Sequence, residues 1–169
     1  VPEGTETINI PQTITYQGRN YTVYTLGNQS NNMLSSLSQD KANAIKTINI
    51  PNSVYTINKN CFANLYKLEH VNIGTGVINI YDYAFSNCGV KELILPENLT
   101  NATNNSIRMC YNLEKVYIGR YLNTDVINRV TGSYGKNIKE INVSANNQYM
   151  KSVDNIVYSK DMKTVLLAA

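Results

Sequence analysis

The fold is decided by IPNSVYTINKNCFANLYKLEHVNIG, residues 50–74, and VINIYDYAFSNCGVKELILPENL, residues 77–99, because both stretches carry one pattern of apolar residues. The pattern extends in both directions, and its units open at Ile45, Leu68, Val90, Leu113 and Ile138. The intervals between these openings are 23, 22, 23 and 25 residues. A period in the twenties is typical of a solenoid, whose units bury their apolar side only by stacking on their neighbours.

The apolar positions within each unit predict a short strand. With the opening residue counted as position 0, positions 3 and 5 are apolar in every unit. An interval of two is typical of a strand with one buried face. Strands at the same place in successive turns pair in parallel, about 4.8 Å apart, so equal positions lie side by side. The expected fold class is α/β by convention and mostly β, with one short parallel strand per turn of 22–25 residues and little helix.

Positions 9, 12 and 17 complete the expected core. At the six apolar positions of the four complete units, 23 of 24 residues are apolar, whereas a 43% apolar composition would give about ten. The exception is Asp125, at position 12 of the fourth unit. That unit also has Val130 where the first two units have phenylalanine, and an extension through Gly132 and Gly135. We therefore expect its turn to be looser than the others.

Two polar positions carry charges of alternating sign. Position 1 reads Lys46, Glu69, Lys91, Glu114, Lys139. Position 2 reads Thr47, His70, Glu92, Lys115, Glu140. Opposite charges on neighbouring strands contribute roughly 0.2–1 kcal/mol each and like charges repel, so these columns are expected to help set the stacking register. The alternative is that they are ordinary solvated residues.

These residues resemble the leucine-rich repeats of BspA-like bacterial surface proteins. Ala84, Phe85 and Cys88 match the Ala-Phe-x-x-Cys element of that family, and Ile50-Pro51 and Leu95-Pro96 match its strand ending. The resemblance implies a right-handed leucine-rich-repeat solenoid with β-hairpin caps. It also implies location at the cell surface or secretion, and adhesion to extracellular proteins, including those of a host.

The chain is expected to form a single domain, residues 1–169, with the regular repeats at 45–146. Residues 1–44 are interpreted as a divergent first unit, because TINIP occurs at both 7–11 and 47–51. Within this unit we expect a β-hairpin from Ile14 to Leu26, with Gly18 in its turn.

Two further elements complete the expected domain. A short surface helix is expected between Asn28 and Ala44, where Met33, Leu34 and Leu37 stand among polar residues. Residues 147–169 resemble the hairpin that follows the repeats in the family and are interpreted as a C-terminal cap. Alternatively, the apolar residues near position 167 indicate that the natural chain continues.

Cysteine and histidine are the candidates for chemistry. Cys88 and Cys110 share position 20, so they are expected to be neighbours inside the coil, and Cys61 lies at position 16. We expect buried free thiols, although a stacked pair could lie within disulfide range. The single histidine, His70, is expected on the open face without a nucleophile beside it. We therefore predict no catalytic residues, no cofactor and no metal site.

Composition excludes several classes of partner. The net charge is +3, and basic residues alternate with acidic ones, which disfavours nucleic-acid binding. No apolar run approaches the roughly 20 residues of a membrane helix, so no membrane insertion is expected in this segment. No signal-like segment follows Val1. We also expect the chain to be a monomer.

The open face of the strands is the candidate binding surface. Positions 2 and 4 contribute Asn49, His70, Asn72, Glu92, Ile94, Lys115, Tyr117, Glu140 and Asn142. Ile94 and Tyr117 are adjacent apolar residues at positions expected to face water, which is typical of an interaction hot spot. The alternative is that they cover a neighbouring loop.

Three functions are compatible with these observations. The leading hypothesis is a non-enzymatic module that recognises a protein ligand through this face. The second is a structural spacer in a larger surface protein. The third is carbohydrate binding, which 13 tyrosines and many asparagines allow, although the chain has no tryptophan.

Overall fold

The structure, a computed structural model, describes residues 2–28, 33–34, 36–103, 105–126 and 137–168. Its elements are β1 (Thr7–Asn9), β2 (Thr13–Tyr16), β3 (Arg19–Thr22), β4 (Thr25–Leu26), α1 (Gln39–Ala44), β5 (Thr47–Asn49), β6 (Thr56–Ile57), β7 (His70–Asn72), β8 (Asn79–Ile80), β9 (Glu92–Ile94), β10 (Asn101–Ala102), β11 (Lys115–Ile118), β12 (Glu140–Val143), β13 (Met150–Val153), β14 (Ile156–Ser159) and β15 (Val165–Ala168). The part of the chain that the structure describes contains no helix with the length and apolar character that a membrane crossing requires.

The predicted strand of each turn is present and pairs in parallel. These strands form two sheets, β1–β5–β7 and β9–β11–β12. Ile48 pairs with Val71 and Val116 with Ile141, so equal repeat positions lie side by side. The first TINIP segment joins the same stack, because Ile8 pairs with Ile48. The prediction of a mostly β, parallel solenoid is confirmed.

Another parallel sheet, which we call the second sheet, runs along a different side of the solenoid in the order β4–β6–β8–β10. Its register places Ile57 beside Ile80, which are buried at position 12. Backbone hydrogen bonds continue the stacking just before these strands, as from the Tyr55 N–H to the Tyr24 carbonyl at 2.8 Å. The sequence predicts one strand per turn, whereas the first three regular turns have two. Two-residue strands are too short to show an alternating pattern.

The core consists of the repeat positions that the sequence identifies. Every described residue at positions 0, 3, 9 and 17 is buried, and two residues at position 5 are half-buried against the core. Phe62 and Phe85, one turn apart at position 17, stack with their ring centroids 5.5 Å apart. The columns of apolar residues therefore become continuous rows of packed side chains.

The fourth regular turn departs from the repeat where the sequence does. Asp125 is exposed, and the next residue, Val126, is buried in its place. A one-residue shift thus keeps a carboxylate out of the core, where an unpaired charge would be costly. The expectations for Val130, Gly132 and Gly135 lie outside the described residues.

The N-terminal hairpin consists of β2 and β3. Tyr16 pairs with Arg19 across the turn. Gln17 and Gly18 both have positive φ angles, 49° and 73°, which a two-residue turn joining twisted strands requires. The hairpin ends earlier than predicted, because Leu26 is buried and belongs to β4 of the second sheet.

The short helix predicted between residues 28 and 44 is α1. Its N-cap is Ser38, whose Oγ accepts a hydrogen bond from the Lys41 N–H. The helix lies after the apolar residues that suggested it, since Met33, Leu34 and Leu37 precede it and pack against the core.

The last three strands form an antiparallel sheet, β13–β14–β15, at the C-terminal end of the described chain. Met150 and Val157 are buried in the core, and Leu166 and Leu167 pack against it. This is where the sequence predicts a cap. The unit boundaries after residues 44 and 146 stay predictions.

A buried asparagine connects the fourth turn to this sheet. The side-chain amide of Asn147 donates to the carbonyls of Gly119 and Leu122, at 2.8 and 2.9 Å. Its Oδ1 accepts from the N–H groups of Tyr149 and Met150, at 2.8 and 3.0 Å. Asn147 is fully buried, and these four bonds satisfy its side chain.

Candidate protein-binding face

The nine candidate residues lie on the outer side of β5, β7, β9, β11 and β12. Each is exposed or half-buried, as expected for positions 2 and 4. The residues between them, at position 3, point into the core. Alternation along each strand therefore places the nine residues on the outer side of the strands.

A break between β7 and β9 divides this face, because the two three-stranded sheets do not join there. The break coincides with the 22-residue unit, whose segment from Phe85 to Val90 is one residue shorter than the segment from Phe62 to Leu68. Gly89 lies in this shortened segment, and its N–H donates to the Leu65 carbonyl at 3.2 Å. We call the outer side of β1, β5 and β7 the N-terminal face and that of β9, β11 and β12 the C-terminal face.

The N-terminal face is a closed polar row. The Asn49 amide donates to the Asn9 side-chain oxygen at 2.7 Å, and the Asn72 amide donates to the Asn49 oxygen at 2.5 Å. The imidazole of His70 stands at position 2 beside Thr47. In this row the central side chains bond to each other, which leaves few free groups for a partner.

The C-terminal face exposes an aliphatic side chain. Ile94 keeps 54% of its surface in water and lies beside Tyr117 in the strand register. A depression of about 310 Å³ brings together six of the nine candidates. These six are Glu92, Ile94, Lys115, Tyr117, Glu140 and Asn142. Asn49, His70 and Asn72 lie outside it.

Tyr117 is held in place by a carboxylate outside the strands. Its hydroxyl donates to Oε1 of Glu97 at 2.5 Å, and Ser144 Oγ donates to Oε2 at 3.0 Å. The hydrogen bond to Glu97 is the main cause that raises the pKa of Tyr117, and partial burial adds to it. Sequence reasoning missed Glu97 and Ser144, because they lie 47 residues apart and outside the repeat positions assigned to the face.

Of the predicted charge ladders, the step from β11 to β12 carries ion pairs. Lys115 bonds Glu140 at 2.9 Å and Lys139 bonds Glu114 at 3.1 Å. The first contact raises the pKa of Lys115 and lowers that of Glu140, through the hydrogen bond and then through charge. These pairs are solvent-exposed, so each contributes little to stability. They favour this register over one that places like charges side by side.

A second depression, of about 380 Å³, lies over the break between β7 and β9. Its lining consists of Glu69, His70, Lys91, Glu92, Glu114 and Lys115. It shares Glu92 and Lys115 with the first depression, so the two adjoin. We call the pair of depressions the groove. Its lining includes four glutamates and two lysines.

The three cysteines are free and buried, as predicted. Cys88 and Cys110 each donate an S–H hydrogen bond to the carbonyl of the phenylalanine one turn back, Phe62 and Phe85, at 3.2 and 3.0 Å. Burial raises the pKa of Cys88 well above its usual range, that of Cys110 to about 11 and that of Cys61 to about 12. The thiolates that nucleophilic or metal chemistry needs are therefore disfavoured at neutral pH. Within the described ranges, no group of three or more His, Cys, Asp or Glu side chains is placed to hold a metal ion.

Comparison with known proteins identifies the repeat. The family model described as BspA type leucine rich repeat region (6 copies) matches residues 34–160. The chain belongs to the BspA-type leucine-rich repeat family. This family suggests a protein-interaction or surface role and is typically non-catalytic. No curated protein sequence matches this BspA-type chain significantly.

Solved structures share the fold at low sequence identity. The pneumococcal vaccine antigen PcpA is 19% identical, with a TM-score of 0.56 over 94% of this chain and 45% of the antigen. A leucine-rich repeat protein from Eubacterium ventriosum is 14% identical, with a TM-score of 0.52 over 83% of this chain and 43% of its own. This BspA-type chain thus spans less than half the length of either structure.

Proposed function

We propose that the chain is a non-enzymatic recognition module that binds a protein ligand through its C-terminal face. The observation that carries this proposal is Ile94, a large aliphatic side chain half in water on a face that is otherwise polar. Tyr117 lies beside it, held by Glu97. Such an anchor, with polar residues around it, is typical of the centre of a binding site.

The proposed setting is the surface of a bacterial cell or the space outside it, with an extracellular protein, including host proteins, as the ligand. Support comes from the BspA-type family and from the fold shared with a pneumococcal vaccine antigen. We propose that the chain acts as a monomer, because the C-terminal face is then free to bind the ligand.

The experiment compares one substitution on two surfaces. Ile94→Asp removes the apolar anchor, and Ile78→Asp is a matched control, because Ile78 is 38% exposed beside the second sheet. Binding of the labelled protein to a panel of purified extracellular matrix proteins is measured for both variants, with circular dichroism as the folding control. We expect Ile94→Asp to weaken binding at least tenfold, about 1.4 kcal/mol, and Ile78→Asp to leave it unchanged.

Equal losses in the two variants, or none in Ile94→Asp, would show that the C-terminal face is not the binding surface. Absence of binding to every probe would favour the structural spacer instead.

A further inference from the structure

One carboxylate of the groove has no ion pair. Glu92 lies beside Lys115 in the register, but the Lys115 ammonium bonds Glu140 at 2.9 Å. Among the described residues, Glu92 has no basic group within ion-pair distance. The groove as a whole carries more glutamates than lysines, although the chain has a net charge of +3.

The unpaired carboxylate and the apolar anchor have a defined spacing. Glu92 and Ile94 are both exposed on β9 and are separated by one buried residue, Leu93. Side chains two residues apart on a strand lie roughly 6.6 Å apart on the same side. Alternate side chains of an extended peptide have the same spacing, so one segment can contact both groups.

We propose, on the basis of the proposed function, that the ligand segment is extended and carries lysine or arginine two residues from a large apolar side chain. The cationic group pairs with Glu92, which has no ion pair among the described residues because the neighbouring Lys115 ammonium bonds Glu140. The apolar group covers Ile94 and contacts Tyr117. Charge complementarity supports this occupant over an acidic or purely apolar segment, because either would bring the Glu92 carboxylate against a like charge or remove it from water unpaired.

The test is a selection of displayed peptides. A random heptapeptide library on phage is selected on the immobilised wild-type protein, after depletion on the folded Ile94→Asp variant. We expect the enriched peptides to share a basic residue two positions from Leu, Ile, Met or Phe. Enriched peptides without this spacing would overturn the inference and leave the proposed function standing. Failure to enrich any peptide over the depletion variant would overturn the proposed function and the inference together.

Affinity measurements on the enriched peptides test the role of Glu92. Each synthetic peptide is compared with a copy in which glutamine replaces its basic residue, against the wild type, Glu92→Gln and the control Glu6→Gln. Glu6 undergoes the same change of charge but pairs with Lys46 on the N-terminal side of the break. We expect Glu92→Gln to weaken binding of the basic peptide about fivefold, with no further loss for the glutamine peptide. An equal effect of Glu6→Gln, or none of Glu92→Gln, would contradict the proposed pairing.

Discussion

The N-terminal and C-terminal faces are built on the same repeat and differ most at position 4. On the N-terminal face this column is Asn9, Asn49 and Asn72, whose amides bond to each other across three strands. On the C-terminal face it begins with Ile94 and Tyr117, and about half of the aliphatic side chain is exposed. The backbone register is the same in both halves. The comparison shows that one repeat position turns a hydrogen-bonded polar row into a row with an exposed aliphatic side chain, without any change of fold.

The largest expected effect is at the break that separates the two faces. A Cβ at Gly89 would lie 2.2 Å from the Tyr66 carbonyl oxygen, so Gly89→Ala forces the backbone of adjacent turns apart. We expect a loss of about 3 kcal/mol in the free energy of unfolding, measured by urea denaturation. Gly4→Ala is the control, because its Cβ meets nothing within 4 Å and only the left-handed backbone at φ 74° is strained. A Gly89→Ala loss no larger than that of Gly4→Ala would mean that the turns at the break tolerate separation.

The second prediction concerns the outer edge of the C-terminal face. Asn147→Ala removes the side-chain partner of two carbonyls and two N–H groups, so we expect a loss of about 2 kcal/mol. Asn146→Ala is the matched control, because Asn146 is an exposed neighbour. Thermal and urea unfolding of both variants measure the difference. Similar stability of the two would show that Asn147 does not connect the fourth turn to the last sheet.

The third prediction tests the closed row of the N-terminal face. Asn49→Ala removes the middle amide and both of its hydrogen bonds, so we expect a loss of about 1 kcal/mol in unfolding free energy. Asn142→Ala, at the same repeat position on the C-terminal face, is expected to cost less, because its amide bonds Glu140 on its own strand and does not link two strands within the described residues. Equal costs for the two variants would remove the distinction between the faces.

The fourth prediction uses the raised pKa of Tyr117. The protonated hydroxyl is favoured in the folded state, so its contribution is present below the pKa of an unfolded tyrosine, near 10, and is lost as pH rises through the higher folded pKa. Unfolding of the wild type and Tyr117→Phe is compared between pH 8 and pH 11. We expect the wild type to be more stable at pH 8 and the gap to narrow with pH. A gap independent of pH would show that Glu97 does not hold the hydroxyl.

The smallest expected effect is that of Ile94→Asn, which continues the asparagine column across the break. Because Ile94 is largely exposed, we expect the unfolding free energy to change by less than about 0.5 kcal/mol. A substantial loss of stability would indicate that Ile94 packs against the fold and is not an anchor left free for a ligand.

Much of the strand face was predictable because a repeat multiplies weak signals. One apolar residue at position 3 says little, but five of them at intervals of 22–25 residues predict both the buried side and the register that pairs Val116 with Ile141. The outward placement of Ile94 and Tyr117 follows from the same alternation. The second sheet was not predictable in this way, since strands such as Thr56–Ile57 are too short to alternate.

The polar contacts that finish the site were harder to predict. Glu97 and Ser144 meet around Tyr117 from different turns, and neither occupies a strand position that the repeat marks as exposed. The chain contains many asparagines, and nothing in the sequence distinguishes the buried Asn147 from the others. Contacts of this kind depend on where loops of different turns approach each other. The repeat period in the sequence does not predict these approaches.

By itself, the sequence determined the period, the core columns, the strand register and the residues that face outward, because stacked units bury equal positions against each other. Only the tertiary structure decided that the sheet breaks between β7 and β9, that a second sheet forms, and that the asparagines bond to each other while Ile94 stays open. The physical reason is that these features arise from side-chain reach and from small differences in turn length between neighbouring units. Both depend on distances in three dimensions.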